Sequence, residues 1–143
     1  PEGVVIAYGN PPYAFIYECK SAEQSYNMTA QDELTYKDYI QKKKEEVRAL
    51  DKSDLKYFVI ISPDFAGDIS RRRENIFKET QVLPIFMSAK NLSTLGSWAC
   101  SLPNDVKILI DLRDIFSLKE PIVSLKSIEN YIKAFENKTK KRY

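Results

Sequence analysis

Gly3-Val4-Val5-Ile6-Ala7-Tyr8 and Tyr13-Ala14-Phe15-Ile16-Tyr17-Glu18-Cys19-Lys20 are two apolar runs separated by Gly9-Asn10-Pro11-Pro12. The separator is dense in turn formers, so the runs predict an antiparallel hairpin with a loop of about three or four residues. Side chains alternate faces along a strand. Glu18 and Lys20 therefore point the same way, roughly 7 Å apart, and Cys19 points the other way. If Tyr8 pairs with Pro12, Glu2 falls across from Glu18 on the same face, about 5 Å away. A slip of one residue puts Glu2 opposite Cys19 instead. The reading thus predicts one register, or a bulge that restores it.

Two carboxylates at that distance repel unless a counter-charge lies between them. A hard divalent cation supplies one. Magnesium accepts a sparse set of one or two carboxylates completed by waters and phosphate oxygens, which suits Glu2, Glu18 and the Cys19 backbone carbonyl. Such an ion activates a water and stabilises charge on an attacked phosphate. Lys20 fits beside that phosphate or water as a point charge. Glu2, Glu18 and Lys20 are accordingly the candidate catalytic residues for metal-assisted phosphodiester cleavage. Taken alone, an E-x-K tripeptide is weak, since an exposed ion pair on an edge strand reads the same. The upstream acid, the hairpin and the strand context give it weight.

Composition narrows the chemistry. None of the 143 residues is histidine, which removes histidine-dependent nucleases, serine and cysteine triads and most zinc sites. Cys19 and Cys100 have no metal spacing. A disulfide between them is one reading, and a pair of reduced, buried thiols in an intracellular chain is the favoured one. No stretch reaches the roughly 18 apolar residues of a membrane span and no signal peptide is visible, so a cytoplasmic protein is expected. A 43% hydrophobic fraction fits one globular domain over residues 1–143, and the opening proline suggests a domain cut from a longer chain.

Beyond the hairpin the elements alternate. Thr29 caps a helix reaching about Leu50, with Leu34, Tyr36, Tyr39, Ile40, Val47 and Leu50 as its apolar stripe. Gln31, Asp32 and Glu33 in its first turn could orient a water or metal, although acids are favoured there in any helix. Lys56 to Ser62 is a buried strand, Asp68 to Thr80 a helix and Leu83 to Ser88 another strand, an order that predicts a right-handed crossover and a parallel pair. Ser88 or Ala89 starts a helix that Gly96 ends or bends. Val106 to Phe116 is read as helix, with a strand over Ile108 to Ile110 as the other option, and Ser124 caps a last helix with Leu125, Ile128, Ile132 and Phe135 on its buried stripe.

The net charge of +2 decides little, because nucleic-acid binding depends on where charge sits. Lys42 to Lys44 read as a solvated helix face and Lys138 to Arg142 as a basic tail. Arg71, Arg72 and Arg73 open a helix where backbone N–H groups also favour phosphate, and are the candidate DNA contact, weighed evenly against ordinary surface. Pro63-Asp64 and Asp105-Val106-Lys107 imitate the acid and D-x-K motifs, but more than forty residues separate them and the triplet begins its apolar run. Neither is taken as a site.

With Pro1-Glu2 as a first motif and Glu18-Cys19-Lys20 as a second, the chain resembles the PD-(D/E)xK nuclease superfamily. More narrowly it is similar to the FokI cleavage-domain family, through Pro1-Glu2-Gly3, Glu18-Cys19-Lys20, Tyr26-Asn27-Met28, Lys56 to Ser62 with Phe65 and Gly67, and the passage from Pro84 to Gly96. The last forty residues match more loosely. The resemblance implies an α/β, restriction-endonuclease-like fold, a mixed central β-sheet with an antiparallel hairpin and a parallel crossover flanked by helices. It implies a type IIS restriction enzyme's cleavage domain that cuts double-stranded DNA with magnesium, for which manganese substitutes. Glu2 and Glu18 would bind the metal and Lys20 would assist the nucleophilic water. Glu2 stands where the family usually has Asp, one methylene shorter. The family pairs through a helix carrying Asp and Arg four residues apart; an ungapped count from Lys20 puts Leu34 and Asp38 there. A homodimer or a partner nuclease subunit is the expected arrangement for cutting both strands. The competing readings are a nuclease-like module that binds DNA or a partner without cutting, and a small α/β interaction domain with a chance E-x-K.

Overall fold

The structure is a computed structural model that describes residues 3–7, 9, 11–21, 25–51, 53–116 and 120–140, with Asp51 described by its backbone alone. Strand β1 (Gly3–Ala7) turns back into β2 (Tyr13–Cys19), followed by the short β3 (Tyr26–Asn27), helix α1 (Ala30–Asp51), β4 (Leu55–Ser62) and the short β5 (Phe65–Ala66). Then come α2 (Ile69–Thr80), β6 (Leu83–Ser88), α3 (Ala89–Ser101), α4 (Asn104–Lys107), α5 (Arg113–Phe116), β7 (Ile122–Val123) and α6 (Leu125–Lys140). The main sheet runs in the order β1-β2-β4-β6-β7, antiparallel only between β1 and β2, while β3 and β5 form a separate parallel pair. The expected mixed sheet, hairpin and parallel β4–β6 pair are all present.

The three middle strands are covered on both faces, which explains their near-continuous apolar reading. Ile16, Phe58, Ile60 and Phe86 face one layer, where Tyr36 and Ile40 of α1 and Ile76 of α2 close the core. Phe15, Val59, Ile85 and Met87 face the other layer, closed by Leu95 of α3, Ile115 and Phe116 of α5 and Ile128 of α6. At the sheet edge the ring of Tyr17 lies across Gly3, where an added methyl would meet the phenol oxygen at 2.6 Å.

Helix α1 begins as a reciprocal cap. Asp32 N–H donates to Thr29 Oγ1 at 3.0 Å and Thr29 N–H donates to Asp32 Oδ2 at 3.2 Å. Only Tyr36, Ile40 and Val47 of the expected stripe are buried; Leu34, Tyr39 and Leu50 are exposed. Leu34 lies roughly 160° around the helix from Tyr36, on the opposite side. Its expected inward place is taken by Glu33, buried where α1 crosses α2. That carboxylate accepts from Lys37 at 3.2 Å and Asn75 at 3.3 Å, and lies 3.5 Å from the Arg72 guanidinium. Lys37 reaches Glu79 as well, so the two helices are tied by an alternating charge network.

Other expectations need correction. Gly96 does not end α3, which runs on to Ser101, because a helix terminates on a change of backbone conformation and Gly67 is the one glycine with positive φ among the described residues. The continuous helix expected over Val106 to Phe116 is two single turns, α4 and α5, rather than a helix or a strand. Asp111 accepts from the Arg113 N–H at 3.0 Å and so caps a fresh helix start, while Tyr13 Oη takes the Leu112 N–H at 3.0 Å. Cys19 and Cys100 are free, as favoured, but exposed rather than buried. Ser124 Oγ accepts from Ser127 N–H and starts α6, which buries Ile128 and Phe135 while Leu125 is exposed. No helix among the described residues is long and apolar enough to cross a membrane.

Glu33→Gln keeps the side-chain shape and removes the charge, and should lower stability at pH 7 by about 1–2 kcal/mol. Burial opposes the Glu33 charge, but hydrogen bonds from Lys37 and Asn75 and the charges of Lys37 and Arg72 together hold its carboxyl below the ordinary range. A carboxyl depressed by folding stabilises the fold above its unfolded value, about 4.3, and that contribution fades as pH falls through the lower folded value. Urea melts of the variant and the parent should therefore differ at pH 7 and converge as the pH drops below about 4. Equal stability at pH 7 would refute the network's contribution.

Candidate active site

Glu18 and Lys20 occupy the carboxyl end of β2, where the strand passes out from between the two helix layers. The parallel ladder pairs Glu18 with Ile60 and Cys19 with Ile61, and Lys20 N–H extends it by donating to the Ile61 carbonyl at 2.7 Å. Strand alternation puts Glu18 on the face of Ile16, beneath α1. Its side chain keeps 17% of its surface exposed. One oxygen, Oε1, lies 3.8 Å from Lys20 Nζ; the other, Oε2, is buried without a hydrogen-bond partner among the described residues. Leaving a carboxylate oxygen in that state costs stability, so this oxygen has room for a water or a ligand as its partner.

Tyrosines from two elements surround the lysine. Its ammonium lies 5.8 Å from the ring centre of Tyr26 and 5.6 Å from that of Tyr36. Tyr26 Oη donates to Asp32 Oδ2 at 2.8 Å and shares a 2.6 Å hydrogen bond with Tyr36 Oη. Burial pushes the Tyr26 phenol up, and its bonds to Tyr36 and Asp32 push it further. Burial likewise raises the Tyr36 phenol and outweighs the lowering effect of its bond to Tyr26, with the Glu18 charge adding to the rise. Both rings stay neutral donors in the ordinary pH range. The Ser62 hydroxyl, on β4, is the other buried side-chain oxygen without a hydrogen-bond partner among the described residues, and its place two residues beyond Ile60 puts it on the Glu18 face.

Glu18 and Lys20 are thus brought together as expected. The hairpin holds the register that the acid pair requires, with Gly3 opposite Tyr17 and Val4 opposite Ile16; Glu2 itself lies outside the described residues, as do Tyr8 and Asn10. The register irregularity found in the sheet lies between Ala14 and Phe15 on the β4 side of β2, at the other end of the strand from Glu18. Cys19 is the last residue of β2. Among the described residues no three His, Cys, Asp or Glu side chains cluster at metal-binding distance. The arginine triplet disperses. Arg73 donates to the Pro84 carbonyl and Arg72 faces Glu33, which leaves Arg71 outermost, paired with Asp68 at 3.0 Å. Gln31 donates to Thr35, Glu33 serves the α1–α2 network, and Asp32 alone of the three reaches the site through Tyr26.

Sequence reasoning missed Tyr36 and Ser62 as members of this site, and used Tyr26 only as a point of resemblance. Tyr36 reads as ordinary core, since its ring packs on Phe58 at 4.9 Å. A hydroxyl ending an apolar strand was the available signal for Ser62.

The family model described as "FokI, cleavage domain" matches residues 1–123. The chain belongs to the FokI cleavage-domain family. The match spans β1 to β7 and stops short of α6. Among solved structures, the restriction endonuclease FokI superposes with a TM-score of 0.59 at 18% identity, over 73% of this chain and 21% of that one. That likeness shows a restriction-nuclease fold, in a chain that spans about a fifth of FokI's length. No curated protein sequence matches.

Because Glu18 Oε2 is buried without a hydrogen-bond partner among the described residues, while only Oε1 faces Lys20 at 3.8 Å, Glu18→Gln should raise the melting temperature in metal-free buffer by about 2–5 °C. Thermal unfolding followed by circular dichroism reads this directly. A melting temperature lowered by several degrees would mean that the carboxylate is satisfied by the fold itself.

Proposed function

We propose that this FokI cleavage-domain family member is a magnesium-dependent endodeoxyribonuclease, the cleavage domain of a type IIS-like restriction enzyme. The observation that carries the reading is the buried Glu18 Oε2, without a hydrogen-bond partner among the described residues, beside Lys20 at an open strand end. A lone hard oxygen on a partly exposed carboxylate suits a cation that keeps most of its waters. Glu18 would hold magnesium or manganese, joined by Glu2 and the Cys19 carbonyl. When bound, such an ion supplies an activated water and charge stabilisation at the phosphate.

The remaining work falls to the chain. The Lys20 ammonium offers three donors from a flexible stem and neutralises charge on the attacked phosphate or orients the incoming water. Glu18, fixed by the β2–β4 ladder, sets where that phosphate lies. Arg71, with 63% of its side chain exposed, is the best placed of the arginine triplet to meet a neighbouring phosphate. Double-stranded DNA is the proposed substrate, with a second copy or a partner nuclease subunit supplying the second cut.

Incubation with supercoiled plasmid and magnesium should yield nicked or linear product, with manganese substituting and excess chelator abolishing it. Glu18→Ala and Lys20→Ala should each lose at least about a hundredfold in cleavage rate while keeping the parent's circular dichroism spectrum. Undiminished cutting by either variant would overturn the assignment. Plasmid bound but never cut would identify a binding module instead.

A further inference from the structure

Lys20 is the one cation among the described residues that lies over two tyrosine rings. Glu18 alone does not explain how it is held, since the two side chains are 3.8 Å apart and share no close hydrogen bond. The rings are themselves fixed from several directions. Tyr26 lies on β3, anchored by its N–H to the Asp64 carbonyl at 2.8 Å and by an edge contact with Phe65. Its hydroxyl meets both Asp32 and Tyr36, which stand four residues apart on one face of α1. Asp32 is in turn locked into the cap of that helix by Thr29. Two rings from different elements are thereby clamped in a fixed relation before any substrate arrives.

From this geometry we propose that Tyr26 and Tyr36 are positioning residues for Lys20. Their π-faces seat the ammonium against Glu18 and leave its outer side free, each ring being held also by its packing, Tyr26 on Phe65 and Tyr36 on Phe58. The negative face of an aromatic ring attracts a cation without taking its hydrogen-bond donors. Lys20 is 32% exposed, so those donors remain available to a phosphate. The same function given to a free four-carbon stem would need the stem ordered during the reaction, and pre-ordering places the charge in advance. The consequence for cleavage rests on the nuclease reading above; the seat itself does not.

Two readouts keep these apart. In NMR spectra of the metal-free parent, the Lys20 ε-methylene protons should lie upfield of the other lysines, displaced by the two rings. Tyr26→Leu and Tyr36→Leu should return them to the common lysine position, whereas Tyr26→Phe and Tyr36→Phe should not. In plasmid cleavage the Leu variants should lose about tenfold in kcat with KM unchanged, and the Phe variants should stay within about twofold of the parent. Should Tyr36→Leu not fold, Tyr26→Leu carries the same comparison. A parent Lys20 signal among the ordinary lysines overturns the seat. A Leu variant whose Lys20 signal returns to the common lysine position while kcat stays full overturns the seat's part in catalysis. Phe variants as impaired as Leu variants overturn the assignment to ring faces. A parent that never cuts refutes the nuclease reading while leaving the NMR comparison to decide the seat.

Discussion

Everything at the candidate site hangs on β2 pairing in two senses at once, antiparallel with β1 and parallel with β4. A strand so placed is rigid because both its edges are bonded, and it is buried on both faces because helices cover the sheet on either side. Its carboxyl end leaves that cover within two or three residues, passing from Ile16, which is wholly buried, to the exposed Cys19. Glu18 sits on that boundary. A carboxylate further back would be too costly to ionise, and one further forward would be solvated and undirected.

The fold was legible to a large extent because its central strands are apolar along their whole length and α1, α3 and α6 begin on recognisable caps, Thr29, Ser88 and Ser124. Leu83 to Ser88 emerged with its boundaries intact, and the hairpin register followed from alternation plus a proline-rich turn. The errors share a cause. Leu34, Tyr39 and Leu50 look like core when only residue type is counted, yet the buried face of α1 is decided by which side meets α2, and a charged residue, Glu33, fills it. Likewise, the break between α4 and α5 is made by Asp111 and by the hydroxyl of Tyr13, almost a hundred positions away in the chain. Periodicity carries no information about partners that distant.

The site was legible in its charged members and opaque in its aromatic ones. Glu18 and Lys20 stand two apart in one strand, so local geometry suffices to relate them. Tyr26 and Tyr36 come from a short strand and a long helix, and their shared hydrogen bond depends on how α1 crosses the sheet. Nothing in a linear reading distinguishes a tyrosine that packs on Phe58 from one that also turns its ring toward a lysine. The arginine triplet shows the converse: three adjacent like charges suggest one patch, but a helix distributes them around its circumference, and all three end in contacts within the molecule, Arg71 alone through an exposed pair.

Gly3 changes how the opening Pro-Glu-Gly triplet should be understood. The triplet looks like a chemical signature, yet its glycine is also a packing position: the Tyr17 phenol occupies the space that a methyl group would take, so a larger residue there would displace the ring. Tyr17 directly precedes Glu18, and its ring lies on the opposite face of the sheet, so β1 is drawn against β2 by a contact that takes no part in the chemistry. In such a motif the acid and the glycine answer to separate demands, and the acid could change while the packing of Tyr17 on Gly3 stays as it is.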